Sequence, residues 1–138
     1  MDWTLCKEDF VKEVEIDPAK IQSLVKTANS RIAFLKSTTF SPGHTSFLVE
    51  GYYEAIKELL TALLLTKGLR SKNHQCLITY FYKNYPQHEG EAYLIAEMSY
   101  LRNRLNYYGE QISPAFYEKN KELVEKIVVK IKNMIDKN

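Results

Sequence analysis

An all-α fold is predicted by three features of this 138-residue sequence. Apolar residues recur at helical spacing along nearly all of it. The pairs Asp17-Pro18 and Ser113-Pro114 have the form of a helix cap followed by proline at the first helical position. Gly68 and Gly109 each follow the last residue of an apolar ladder, where helices end. Together they predict an up-and-down helical bundle of four principal helices plus a short one. Residues 17–138 form this single domain, and residues 1–16 are a leader outside the pattern.

The first principal helix starts at Asp17-Pro18 and carries Ile21, Leu24, Val25, Ala28, Ile32 and Leu35 on one side. Ser41-Pro42-Gly43-His44 breaks it. Thr45 or Ser46 is expected to cap the second, with Glu50 and Glu54 near its positive end. The ladder of that helix (Phe47, Leu48, Tyr52, Ala55, Ile56, Leu59, Leu60, Leu63, Leu64) is wide enough to make it the most buried one. Residues 73–85 read as the short aromatic helix, stopped by Pro86. Its Tyr80-Phe81-Tyr82 run looks strand-like, but no partner strand is evident. From Glu89 the next helix repeats Leu94, Met98, Leu101 and Leu105 up to Gly109. The last begins at Ser113-Pro114 and runs through Phe116, Leu123, Ile127, Val128, Ile131, Met134 and Ile135.

Composition narrows the function classes. Apolar residues at 45% and charged residues at 26% are globular values, and a net charge of +2 gives no bulk attraction for nucleic acid. Any phosphate site has to be a local cluster. Cys6 and Cys76 are distant and form no CxxC pair, so neither a disulfide nor a zinc framework is expected, and Cys76 reads as a small buried residue. No run is apolar enough to span a membrane, and the first ten residues are too charged for a signal-peptide core. A cytoplasmic protein in a reducing setting, with no membrane partner, is the expectation. His44, His74 and His88 have no ligand partner at i+3 or i+4, so they read as exposed side chains without a shared role, and neither a metal nor a cofactor is expected. Residues 67–72 form a basic corner after the second helix.

The candidate site is YLRNRLNYYGE, residues 100–110. Arg102 falls beside the apolar stripe rather than opposite it, so it must be paired or line a groove or interface. Arg104 shares a face with Tyr108, and Asn103 with Tyr107. Arg102 and Tyr107 are about 140° apart on an unbroken helix and converge only if it turns near Asn106. The competing reading pairs Arg102 and Arg104 with Glu97, Glu110 or other carboxylates.

Residues 102–109, RNRLNYYG, resemble the signature of HEPN domains, small helical proteins named for nucleotide binding in higher eukaryotes and prokaryotes. That signature is an arginine, usually a polar residue such as asparagine after it, then four to six residues to a histidine. Arg102 matches the arginine and Asn103 the polar residue, whereas Tyr107 stands at the histidine position of the four-residue spacing. Residues 51–68 resemble the long second helix of the family with its closing glycine, and the similarity extends over roughly residues 19–132.

The resemblance implies a homodimer whose arginine motifs line a shared cleft for RNA or a nucleotide. Many members are metal-independent ribonuclease toxins partnered with a minimal nucleotidyltransferase antitoxin. In that chemistry arginine stabilises charge on phosphorus and histidine moves the proton. Arg102 and Tyr107 would be the catalytic pair, with Asn103, Arg104, Asn106 and Tyr108 contacting nucleotide or RNA. Tyrosine, with an ordinary pKa near ~10, is a weak general base at neutral pH. Three function classes therefore stand: a ribonuclease, a non-catalytic nucleotide- or substrate-binding subunit of a nucleotidyltransferase pair, and a structural dimerisation domain.

Overall fold

The computed structural model describes residues 2–137; Met1 and Asn138, the outer limits of the two segments expected above, lie outside the described residues. Six α-helices are present among them: α1 Trp3–Asp9, α2 Pro18–Ser37, α3 Thr45–Thr66, α4 His74–Asn84, α5 Glu89–Tyr108 and α6 Pro114–Asp136. Short 3-10 turns, Pro42–His44 and Pro86–His88, lead into α3 and α5. The helical bundle expected from the ladders is the fold.

The boundaries follow local chemistry. Asp17 accepts from the amides of Ala19 and Lys20, Asn73 from that of Cys76, and Ser113 from that of Ala115. Each satisfies an amide that the first turn leaves without an intrahelical partner. Gly68 and Gly109 close α3 and α5 in the left-handed region, at φ 71° and 68°, where a side chain would be strained.

α3 is the centre of the core. Thirteen of its 22 residues are buried, and α2, α4, α5 and α6 pack around it. Val49 and Tyr53 belong to this buried set, whereas Phe47, expected on the apolar ladder, faces outward. Neither Thr45 nor Ser46 caps α3. Thr45 Oγ1 donates to the carbonyl of Pro42, because the 3-10 turn already occupies the position before the helix. Ser46 Oγ donates to Gln111 Oε1 at 2.9 Å and accepts from the Ile112 amide at 2.7 Å, pinning the α5–α6 loop to the first turn of α3.

Two expectations are overturned at the N-terminal end. Residues Val11–Glu13 form a strand, β1, paired antiparallel with β2, Leu69–Ser71, so a small sheet exists where none was expected. The basic corner after α3 is therefore half of an antiparallel two-stranded ladder and not a free turn. Ser71 Oγ adds a bond to the carbonyl of Phe10. Cys6 on α1 and Cys76 on α4 are fully buried and disulfide-bonded, with Cα atoms 5.6 Å apart. Sequence spacing gave no hint of this pairing, because β1 and β2 bring α1 back across 70 residues to α4. Disulfides persist in oxidising compartments or in intracellular proteins of hyperthermophiles, so the cysteines no longer argue for a reducing setting. No described helix is long and apolar enough to cross a membrane.

A cross-link closing a 70-residue separation removes much entropy from the unfolded chain. Reduction with dithiothreitol, or Cys6→Ser, should lower stability by about 2–5 kcal/mol. The readout is the thermal midpoint by circular dichroism. An unchanged midpoint would show that the sheet and α1–α4 packing hold this corner without the bond.

Candidate functional site

Burial of α3 on most sides forces its polar residues into one stripe. Glu50, Glu54, Lys57 and Glu58 fall within that stripe, at steps of four, three and one. Side chains from the flanking helices meet it. From α2, Arg31 donates through Nε and a terminal nitrogen to the two Glu58 oxygens, both at 3.1 Å. From α5, Arg102 contacts Glu54 at 3.2 Å, and Lys57 contacts the other oxygen of Glu54 at 2.6 Å. The Asn106 amide, turned as its neighbours require, donates to Glu50 at 3.0 Å and accepts from Arg102 Nε at 3.2 Å. Arg102 also reaches Asn103 Oδ1 at 3.4 Å.

The arrangement accounts for the awkward position of Arg102. Its side chain is 22% exposed, too buried to stand unpaired, and α3 supplies the carboxylate of Glu54. Burial alone would raise the Glu54 pKa, but Lys57, Arg102 and Arg31 outweigh it and hold the carboxyl below its ordinary value. Two cations thus share one carboxylate, Glu54, while Glu50 stands next to Arg102 across the Asn106 amide.

Beside this stripe lies a groove of about 440 Å³, lined by Arg31, Phe34, Phe40, Phe47, Glu50 and Glu54. Phe34 and Phe47 are 62% and 54% exposed, unusual values for phenylalanine. A wider groove of about 600 Å³ lies between α2 and α6. There Tyr52 and Tyr117 stack on each other at 6.3 Å, and Lys36 and Lys121 are mixed with Glu118, Glu122 and Glu125. Carboxylates outnumber cations in the lining of both grooves, so neither draws an anion by charge alone.

Of the six residues picked out from the sequence, three come together. Arg102, Asn103 and Asn106 join the α3 stripe. Arg104 and Tyr108 form a separate pair: the guanidinium lies 4.3 Å from the Tyr108 ring centroid and grips Glu110 with two nitrogens, the Nε bond measuring 2.9 Å. This is the carboxylate pairing named above as the competing reading for Arg104. Tyr107 is 75% exposed. The turn near Asn106 that would bring it to Arg102 does not occur: α5 runs unbroken to Tyr108, and the Gly109 amide bonds Leu105 in regular closure. Arg102 and Tyr107 therefore stay on different sides of α5.

His74 is the residue that sequence spacing missed. It opens α4 with its ring 6.4 Å from that of Tyr53, on α3. The Tyr53 hydroxyl donates to Ser99 Oγ at 3.2 Å, one turn before Arg102 on α5. Burial, then the positive charges of Lys57 and Arg102, lowers the His74 pKa below its ordinary 6.5; Glu54 works the other way. No local motif marks such a meeting of α3, α4 and α5. Phe34 was more legible, since it falls between Ile32 and Leu35 and so off the apolar face of α2. Among the described residues, no three His, Cys, Asp or Glu side chains converge as a metal cage requires.

No protein-family model, curated protein or solved structure matches the chain.

The lowered His74 pKa fixes a pH dependence. Below pH 6.5 the unfolded chain takes up this proton before the folded one, so stability is lost as pH falls through that window and is constant in this respect above it. Denaturant titrations between pH 7.5 and pH 5 should show the decline, and His74→Gln should flatten it. An identical slope in the variant would mean that other groups control the window.

Proposed function

We propose that this protein binds single-stranded RNA in the groove between α2 and α3, with Arg102 at its edge. The observation that carries the reading is the pairing of two exposed phenylalanines, Phe34 and Phe47, with a cluster in which Lys57 and Arg102 meet on Glu54. Proteins that hold single strands combine these same parts: aromatic rings on which bases stack, and cations that follow the phosphates. A duplex would keep its bases stacked inside and gain nothing from Phe34 and Phe47.

The net charge of +2 suits this division of labour. Long-range attraction is weak, so affinity comes from stacking and from a few charge-assisted contacts, and it is sensitive to salt. Asn103 and Asn106 hold the Arg102 guanidinium in place by accepting from it. A homodimer and a minimal nucleotidyltransferase partner belong to the same reading through the motif resemblance, as does membership of the HEPN family.

Base–aromatic stacking is worth about 1–3 kcal/mol per base. Phe34→Ala and Phe47→Ala should each weaken binding of a short single-stranded RNA by about 5- to 100-fold. Arg102→Ala should weaken it by about tenfold or more, through loss of a charge-assisted phosphate contact. Fluorescence anisotropy with a labelled oligoribonucleotide gives the affinities, and circular dichroism checks that each variant is folded. If all three bind like the parent, the groove is not the RNA site.

A further inference from the structure

The groove between α2 and α3 contains a carboxylate bonded to an amide rather than to a cation. Phe47, Glu50, Gly51 and Glu54 follow one another at helical steps along α3 and line the groove together, and Phe34 joins them from α2. Glu54 is held by Lys57 and Arg102. Glu50 instead receives the Asn106 amide at 3.0 Å, and among the described residues no lysine or arginine forms an ion pair with it. A second carboxylate one turn from Glu54 costs the helix like-charge repulsion and does nothing to attract phosphate. What Glu50 offers the groove is a pair of hydrogen-bond acceptors beside two exposed rings.

We propose that this groove selects a guanine base of the bound RNA, stacked on Phe34 and Phe47 and read along its Watson–Crick edge by the Glu50 carboxylate. The inference rests on the RNA-binding reading above and adds the base that the groove prefers. Guanine presents two neighbouring donors on that edge, N1–H and the N2 amino group, and an ionised carboxylate accepts from both at once. The other bases place an acceptor there: N1 of adenine, N3 of cytosine, and the two carbonyl oxygens flanking N3–H of uracil. Glu50 has no proton to offer these lone pairs, so such a base gives up water without gaining a partner. A single strand leaves the edge open to a side chain, whereas a duplex hides it.

The packing of α2 on α3 builds the seat for the base. A Cβ at Gly51 would stand 2.7 Å from Leu35 Cδ2, so glycine lets the two helices close together and leaves the groove floor between the rings free of a side chain. Glu50 is three residues from Phe47, and side chains so spaced are about 5–6 Å apart at Cβ. A base lying on the Phe47 ring therefore brings its rim within reach of the carboxylate. The Asn106 amide holds one Glu50 oxygen and accepts from Arg102 Nε, which fixes the carboxylate from the α5 side. This division accounts for a groove whose carboxylates outnumber its cations: base contacts, not bulk charge, choose what enters.

The test measures binding of the full chain to labelled oligouridines that carry a single central guanine, adenine, cytosine or inosine. The guanine strand should bind about tenfold or more tighter than the adenine and cytosine strands. Inosine keeps N1–H and lacks the N2 amino group, so its strand should fall between them with the unaltered protein. Glu50→Gln, checked for folding by circular dichroism, should bind the guanine and adenine strands within about twofold of each other, because its amide replaces one acceptor with a donor. Equal affinity of the parent for all four strands, or a guanine preference that survives Glu50→Gln, overturns the role of Glu50 and leaves the binding reading standing. Free guanosine monophosphate that binds as tightly as the guanine strand overturns RNA as the source of the base. Arginine amide that displaces the strand as readily as guanosine monophosphate does would show a guanidinium site and overturn the guanine assignment. If the parent binds none of the strands, the binding reading falls with it.

Discussion

The constraint on which this molecule depends is the burial of α3. Its apolar residues face four other helices, and close packing there stabilises the fold through the largest share of apolar area removed from water. A helix surrounded in this way has one narrow outlet for polar side chains. Glu50, Glu54, Lys57 and Glu58 occupy it, and each half-buried charge demands a partner from whichever helix lies alongside. Arg31 and Arg102 are those partners, supplied by α2 and α5. The candidate site is thus a consequence of core packing: the stripe that α3 cannot bury becomes the place where charges gather.

Within that gathering the pairings differ in strength. Arg31 and Glu58 make two parallel bonds and neutralise one another. Glu54 is divided between Lys57 and Arg102, and the Asn106 amide links Arg102 to Glu50, so these charges form an open network instead of a closed pair. Arg104 and Glu110 also form a two-pronged pair, but on an exposed helix end, where water and salt screen it and its contribution to stability is small. The disulfide acts at the opposite level of organisation. It fixes α1 to the first turn of α4, the turn that carries His74.

Local signals in the sequence located most of the fold. Asp17, Asn73 and Ser113 cap helices through bonds that span two or three residues, and Gly68 and Gly109 end them through backbone freedom, so their positions could be read directly. The apolar ladders of α2, α3 and α6 likewise identified the core. What stayed hidden was non-local. The Cys6–Cys76 bond and the β1–β2 ladder join residues more than fifty positions apart, and three-residue strands carry no alternation to recognise. Ser46 has the chemistry of a cap but a better partner at Gln111 and Ile112. Arg102, Asn103 and Asn106 were found because one helix segment carries them, whereas Glu50, Glu54 and Lys57 join them only when α3 and α5 pack together. Phe47 also shows how a wide apolar ladder misleads: at its edge, a residue at the right spacing still faces out.

The central claim is that the outward face of α3, flanked by α2 and α5, receives single-stranded RNA. Two-dimensional amide NMR during titration with a short oligoribonucleotide tests it most directly. The account predicts saturable shifts concentrated at Arg31, Phe34, Phe47, Glu54 and Arg102. Shifts confined to the α2–α6 face around Lys36 and Lys121, or to the Arg104–Tyr108 end of α5, would contradict it.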